Sequence, residues 1–240
     1  MNFSEINDLA IGNCLSESLN GEVYEAVLDG RDVIYRIPPT GSIEGDIYKK
    51  YYNRKGMMSL IGFYQGGLVL EKGGKNLGEC VNHPEMLITY QQFDEVAGFL
   101  DVLHSDGYLH RDIQPGNLVT KHHKFCLIDF GLTRTIESRG DKVDPSHTVL
   151  RYASINQLKG INESICDDNY SFALCLAYAF SKKTPWGTLG GAPLISTINM
   201  DIFPRDYGLN FRNFLAQLSS DLSYSSAKIP FDVYSILSEM

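Results

Sequence analysis

The sequence has no cysteines at short paired spacing. Its five cysteines (Cys14, Cys80, Cys126, Cys166 and Cys175) are odd in number and scattered along 240 residues, which argues against a disulfide-stapled scaffold or a zinc ribbon and fits a reducing compartment. Positive charge is also scarce. Against 29 Asp and Glu there are only 21 Lys and Arg, a formal net of -8, so a phosphate backbone is a poor main partner and no nucleic acid is expected. Long apolar runs are missing too: the longest, Phe172 to Phe180, falls far short of the roughly 20 residues a spanning helix needs. Residues Met1 to Ala10 have neither the basic flank nor the apolar stretch of a signal peptide. The expectation is an intracellular protein, cytoplasmic or nuclear, without membrane attachment. There is no internal repeat and no low-complexity tract, and nothing indicates an oligomeric state.

What is present is the material of a core. A content of 43% hydrophobic and 11% aromatic residues beside 22 Gly and 9 Pro is that of a folded chain, in one large domain or two packed lobes. At this size about three-quarters of the unfolded surface would be buried.

The first 72 residues read as short strands between turns. Gly21 to Val27 and Val33 to Ile37 flank Asp29-Gly30, a hairpin signal. Pro38-Pro39 ends the second strand, a helix is expected from Glu44 to Tyr52, and Leu60 to Tyr64 and Leu68 to Leu70 complete a small sheet. After Gly73-Gly74 the pattern changes. Phe93, Val96, Ala97, Leu100 and Leu103 recur at helical spacing and lead to His104. Leu118-Val119 and Phe125 to Ile128 read as a short hairpin whose tip is Lys121-His122-His123-Lys124, with no third ligand at a spacing that would make it a metal site. Helices are expected at Ser171 to Phe180 and around Phe211, Phe214, Leu215 and Leu218.

The densest chemical signal is His110-Arg111-Asp112-Ile113-Gln114-Pro115-Gly116-Asn117, followed by Asp129-Phe130-Gly131. Phosphoryl transfer to a hydroxyl needs one carboxylate near the acceptor and oxygen ligands that hold magnesium against nucleotide phosphates. An Asp and an Asn five apart on a loop, with a second Asp returned by a hairpin, supply that set. Taken singly, such residues also simply favour turns.

In form and order these motifs resemble the catalytic loop and the magnesium-binding Asp-Phe-Gly of the protein kinases. Arg151-Tyr152-Ala153-Ser154-Ile155-Asn156 is similar to the segment that casein kinase I carries where most kinases have Ala-Pro-Glu, and Asp167-Asp168-Asn169-Tyr170-Ser171 and Pro185-Trp186 resemble later elements of that family. The resemblance implies an α+β bilobal kinase-like fold in a single domain over residues 1–240. A β-rich lobe to about residue 72 would precede a mainly helical lobe from about 73, near minimum length and without regulatory tails. It also implies roles. Asp112 would be the catalytic base, Asn117 and Asp129 would hold Mg2+, and Asp168 would brace the catalytic loop. Ser16, Ser18, Gly21 and Val23 would cover the phosphates of ATP. Arg36 would stand in the place of the phosphate-pairing lysine and pair with Glu44, and the backbone near Glu71 would meet the adenine, with Gly73-Gly74 as a flexible connection. For Glu44 taken alone, a solvated helix acid is the competing reading.

The sequence departs from the family pattern where the mechanism is most demanding. Only the third glycine of Gly-x-Gly-x-x-Gly-x-Val is kept, as Gly21. Arg36 puts a planar fork where the family has a compact ammonium. The catalytic-loop lysine is Gln114, and the threonine before Arg-Tyr-Ala-Ser-Ile-Asn falls on Val149, with Thr148 one position away. Neutral Gln can donate a hydrogen bond but cannot offset charge on a transferring phosphoryl group, a loss typically of about a hundredfold in rate. Two functions stay open on these residues. One is an ATP- and magnesium-dependent serine/threonine protein kinase of casein kinase I type; the other is a pseudokinase that binds nucleotide or serves as a scaffold. Acidic or already phosphorylated protein substrates are implied by the resemblance, and the surplus of basic residues between Leu132 and Gly160 (Arg134, Arg139, Lys142, Arg151 and Lys159 against Glu137, Asp141 and Asp144) is compatible with them.

Overall fold

The computed structural model describes residues 5–18, 20–136, 152–153, 157 and 164–181. The expected helices beyond residue 181, the segment around Val149 and the Pro185-Trp186 loop lie outside them.

Five strands form one antiparallel sheet: β1 (Ala10–Ser18), β2 (Gly21–Leu28), β3 (Arg31–Ile37), β4 (Leu60–Tyr64) and β5 (Gly67–Glu71), in the order β1-β2-β3-β5-β4. Two of its turns follow one local rule. Asp29-Gly30 and Gln65-Gly66 have positive φ at both central residues, as a type I′ turn demands so that its twist matches the flanking strands. The His122-His123 tip of the later hairpin does the same with φ of 48° and 63°, a conformation that histidine tolerates better than most side chains.

On β3 the period of two separates two jobs. Val33 and Tyr35 point to one face, where they join Leu9, Ala26 and Val69 in a small apolar cluster. Ile34 and Arg36 point to the other, toward helix α1 (Glu44–Lys50). That helix is only seven residues long. Its first turn carries Glu44 and Asp46, its last turn Lys49 and Lys50, charges that oppose the helix dipole at each end. Ser42 Oγ accepts from the Glu44 N–H at 3.1 Å and closes the first turn.

Helix α2 (Leu77–Asn82) opens on a reciprocal cap between Asn76 and Glu79. Helix α3 (Asp94–Ser105) buries Val96, Ala97, Phe99, Leu100 and Leu103, the face expected from their spacing. It is followed by β6 (Tyr108–Leu109), the hairpin β7 (Leu118–Lys121) and β8 (Lys124–Leu127), and β9 (Arg134–Thr135), which pairs with β6. Helix α4 (Ile165–Ser181) carries Asp167 and Asp168 in its first turn and is almost wholly apolar from Phe172 to Phe180.

The larger apolar core runs from the other face of the sheet into the helical part. Phe130, fully buried, is its pivot: its ring meets Tyr48 of α1 edge-on at 5.2 Å, Phe99 of α3 at 5.8 Å and His110 at 4.9 Å. Helix α1, helix α3 and the segment after β6 are therefore held by the residue that follows Asp129. Among the described residues, no helix is long and apolar enough to cross a membrane.

Candidate active site

The segment from His110 to Asn117 leaves β6, makes a single 3-10 turn at Pro115–Asn117 and enters β7. It is irregular backbone, so its buried N–H groups need partners from elsewhere. Asp168 on α4 supplies them. Its carboxylate, 1% exposed, accepts from the N–H of His110 at 2.7 Å and of Arg111 at 2.8 Å, and lies 2.9 Å from His104 Nε2. Burial by itself would raise this carboxyl. The His104 hydrogen bond, the electrostatic field of the two neighbouring imidazoles and the Arg111 N–H outweigh it and hold Asp168 below its ordinary value. Arg111 has a φ of +72°, a left-handed conformation costly for a long side chain, sustained here by the bond to Asp168 and by Gln157 Nε2, which donates to the Arg111 carbonyl at 3.2 Å.

His110 is fully buried, and burial pushes its imidazole below the usual value. Its Nδ1 accepts from the Asp112 N–H at 3.2 Å. Nε2 must then carry the proton, which it donates to the Ile128 carbonyl at 3.2 Å. A neutral histidine thus ties the Asp112 loop to the strand end that leads into Asp129.

Asp112 is held by two amides. Gln114 Nε2 donates to both carboxylate oxygens, at 3.0 and 2.9 Å, and Asn117 Nδ2 donates to the Asp112 carbonyl and to Oδ2, each at 2.8 Å. Gln114 keeps the hydrogen bond and omits the positive charge. Because the Asn117 amide nitrogen is spent on Asp112, its Oδ1 is directed elsewhere. Ile128 N–H donates to the Asn117 carbonyl at 3.0 Å, which fixes this loop beside the strand before Asp129.

Arg36 converges on the same region from the sheet. Nη2 donates to Asp129 Oδ1 at 2.7 Å and to the Asn20 carbonyl at 2.6 Å, while Nε donates to Glu44 Oε2 at 3.3 Å. Glu44 is fully buried, so the solvated-acid reading is overturned. Its other oxygen accepts from the Phe130 N–H at 3.3 Å. Burial pushes the Glu44 carboxyl up to about 7, with Arg36 acting against this and Asp129 adding to it. Asp129, with φ +62°, also accepts from Gly131 N–H on Oδ1, and its Oδ2 takes no hydrogen bond among the described residues.

The expected phosphate cover is the β1–β2 hairpin. Val23 lies opposite Arg36 in register and Ser16 opposite Val23, and Ser18 pairs with Gly21. Ser16 and Ser18 are exposed on β1, and Ser18 Oγ accepts from the Asn20 N–H at 3.1 Å. Gly21 has a structural reason to be glycine: at φ +103° an added Cβ would sit 2.3 Å from the Ile37 carbonyl. Glu71 ends β5, donates its N–H to the Ser59 carbonyl at 3.0 Å and pairs with Lys121 Nζ at 2.6 Å. The connection after it is not loose, contrary to expectation. Gly74 N–H donates to the Thr120 carbonyl at 2.7 Å, Lys75 carbonyl accepts from Thr120 N–H at 2.9 Å, and an added Cβ would meet Met58 at 2.8 Å from Gly73 or Thr120 at 2.5 Å from Gly74. These glycines allow close packing on β7 rather than motion.

Arg36, Glu44 and Asp129 thus form one cluster, Asp112, Gln114 and Asn117 a second, and residue 128 joins them. Not anticipated from the sequence were the Asn20 carbonyl, a backbone group with no side-chain signature, and the contact of Gln157 with Arg111.

Residues 76–218, more than half of the chain, match the protein kinase domain family. A probable casein kinase I homolog of Encephalitozoon cuniculi (strain GB-M1) is 31% identical over 136 residues, 51% of this chain and 45% of that protein. A probable serine/threonine-protein kinase of Dictyostelium discoideum is 33% identical over 111 residues, 45% of this chain and 8% of the relative. The chain therefore spans less than half the length of either relative in the matched stretch. Sequence motifs, site geometry and these likenesses agree, and the chain belongs to the protein kinase family as a casein kinase I-like member.

Proposed function

We propose that the chain transfers the γ-phosphate of ATP to serine or threonine hydroxyls of protein substrates, as one kinase domain over residues 1–240 with its lobes meeting near residue 72. The observation that carries this reading is the state of Asp112. Gln114 and Asn117 hold its carboxylate by hydrogen bonds on a loop stitched to α4, which orients it to accept the proton of an acceptor hydroxyl.

The residues present fit a divalent cation. Among the described residues, neither Asn117 Oδ1 nor Asp129 Oδ2 takes a hydrogen bond, and both are hard oxygen donors of the kind magnesium takes. When bound, Mg2+ would offset negative charge on the nucleotide phosphates. Arg36 would orient Asp129 and add a fixed positive charge nearby, Glu44 would hold Arg36, and Asp112 would take the hydroxyl proton. The β1–β2 hairpin with Ser16, Ser18, Gly21 and Val23 would cover the nucleotide, and the backbone at Glu71 would meet its base. Acidic or phosphorylated substrates remain part of this reading through the casein kinase I likeness.

A second reading, nucleotide binding without transfer, is favoured by one observation: Arg36 spends Nη2 on Asp129 and Asn20 while Gln114 brings no charge to Asp112. Magnesium-dependent transfer from labelled ATP to a generic protein substrate separates the two. Activity that disappears in Asp112→Asn supports the kinase; activity equal in that variant overturns it. A magnesium-dependent thermal shift with millimolar ATP but no transfer supports the second reading.

A further inference from the structure

The chain is acidic overall, yet Lys49-Lys50-Tyr51-Tyr52-Asn53-Arg54-Lys55 carries four cations in seven residues and no acid. This run leaves the C-terminal end of α1, the end opposite Glu44. Gly56, at φ +88°, then turns the chain so tightly onto α3 that an added Cβ would lie 2.0 Å from the Glu95 carbonyl. Between the run and α3 lies an open groove of about 590 Å³, lined by Lys50, Tyr51, Tyr52, Arg54, Lys55 and Phe99 among others.

The groove has a floor and a rim of different character. Beneath the groove Tyr51 and Phe99, both buried, meet edge-on at 5.4 Å, and Gly98 leaves the middle open, with nothing within 4 Å of where a Cβ would stand. The rim is basic. Lys50 is held in place by Asp106 at 3.0 Å and lies over the Tyr108 ring at 4.6 Å. Lys55, 83% exposed along its side chain, touches Glu95 only at 3.7 Å. Arg54 is exposed and makes no ion pair among the described residues. Lysines and arginines on a surface are most often simply solvated. Here they border a concave site of a size that suits a short peptide stretch, in a chain whose formal net charge is -8.

We propose that this groove docks an acidic segment of a partner protein, its carboxylates on Arg54 and Lys55 and an apolar or aromatic side chain in the open space over Gly98. A nucleic-acid backbone fits less well, because it extends beyond the basic run and the chain as a whole, at a net of -8, repels a long polyanion. The site shares α1 with Glu44 but its lining includes none of the phosphate-transfer residues, and it adds a partner surface that the proposed activity does not require.

The test uses the full chain and a fluorescein-labelled peptide Glu-Asp-Glu-Phe-Asp-Glu, with Gln-Asn-Gln-Phe-Asn-Gln as its neutral counterpart, read by fluorescence anisotropy. Saturable binding is expected for the acidic peptide, about tenfold weaker for the neutral one and for Arg54→Glu/Lys55→Glu, with weakening as salt rises. Gly98→Tyr, which fills the groove and leaves every charge in place, should lower affinity by about as much. It also decides the matter if the charge-reversed chain fails to fold, as judged by its circular dichroism. Binding that is absent, or is unchanged in Gly98→Tyr, overturns the proposal. So does tighter binding of twelve-residue oligodeoxythymidine or of phosphatidylserine vesicles than of the peptide.

Discussion

Replacing Asp168 by Asn keeps the shape of the side chain and removes its charge. In the native chain the carboxylate accepts from two backbone N–H groups and faces His104, all within 2.9 Å, at 1% exposure. An amide has one accepting oxygen, and its NH2 would be turned toward a donor. At least one N–H of the His110–Arg111 backbone then loses its acceptor in a dry interior, at about 1–3 kcal/mol, and a charge-assisted bond worth about 1.5–3 kcal/mol becomes an ordinary one. The expected loss is about 4 kcal/mol, in line with breaking one side of a buried charged pair. Against a typical total of about 5–15 kcal/mol this leaves a folded but weakened chain. The pH dependence has a definite sign. A carboxyl held below its ordinary value of 3.8 contributes stability that is fully present above that value and is lost as pH falls through the folded one. Urea unfolding of both proteins, followed by circular dichroism from pH 7 down to about 3.5, should therefore show a gap that is widest at neutral pH and narrows below about pH 4. A gap under about 1 kcal/mol at pH 7, or one that widens on acidification, refutes the account of Asp168 as an ionised brace.

Four further outcomes are expected. Gly98→Ala, where a methyl has open space on a helix, should stabilise the chain by about 1 kcal/mol and raise Tm by about 2–4 °C in a thermal melt. Gly21→Ala should destabilise it by about 1–3 kcal/mol in urea titration, since the residue combines positive φ with a 2.3 Å approach to the Ile37 carbonyl. Gln114→Lys should raise phosphate transfer by about tenfold or more while leaving KM for ATP nearly unchanged, because the added charge acts on the transferring group; an unchanged kcat would count against the charge argument. Neutralising Arg134 and Arg139 should weaken phosphorylation of acidic peptides more than of neutral ones, and equal losses would remove the acidic-substrate idea.

Legibility from the sequence followed burial. Strands β2, β3 and β5 and helix α3 could be read because each buries part of its length and so leaves an apolar pattern. Strand β1 could not: all nine of its residues are exposed, and a strand with no buried face has no alternation to read. Helix α2 was missed for its brevity, although Asn76 and Glu79, three apart, spell the cap that starts it. The glycines at 73 and 74 were read as freedom because the residue type alone does not distinguish a hinge from a close contact. Only the positions of Met58 and Thr120 do.

The same limit explains why the site was more legible in its members than in its wiring. Asp112, Asn117 and Asp129 could be named from spacing, since the chemistry needs those oxygens in that order. What Arg36 and Gln114 do could not, because each is a substitution whose consequence depends on distance. Gln114 reaches both oxygens of Asp112 from two residues away, so the orienting bond survives and only the charge is missing. Arg36, with its forked donors, reaches Glu44, Asp129 and Asn20 at once, which a single ammonium would do less well. The one substitution subtracts a cation beside the base, and the other fixes a cation beside Asp129. Positive charge in the site is thereby shifted from the catalytic loop toward the sheet. Reversing only the first change, by Gln114→Lys, should therefore raise the rate; reversing only the second, by Arg36→Lys, should loosen Asp129 and lower it. Opposite signs for the two variants in one transfer assay are what this arrangement requires, and equal signs would show that the two substitutions act independently of where the charge sits.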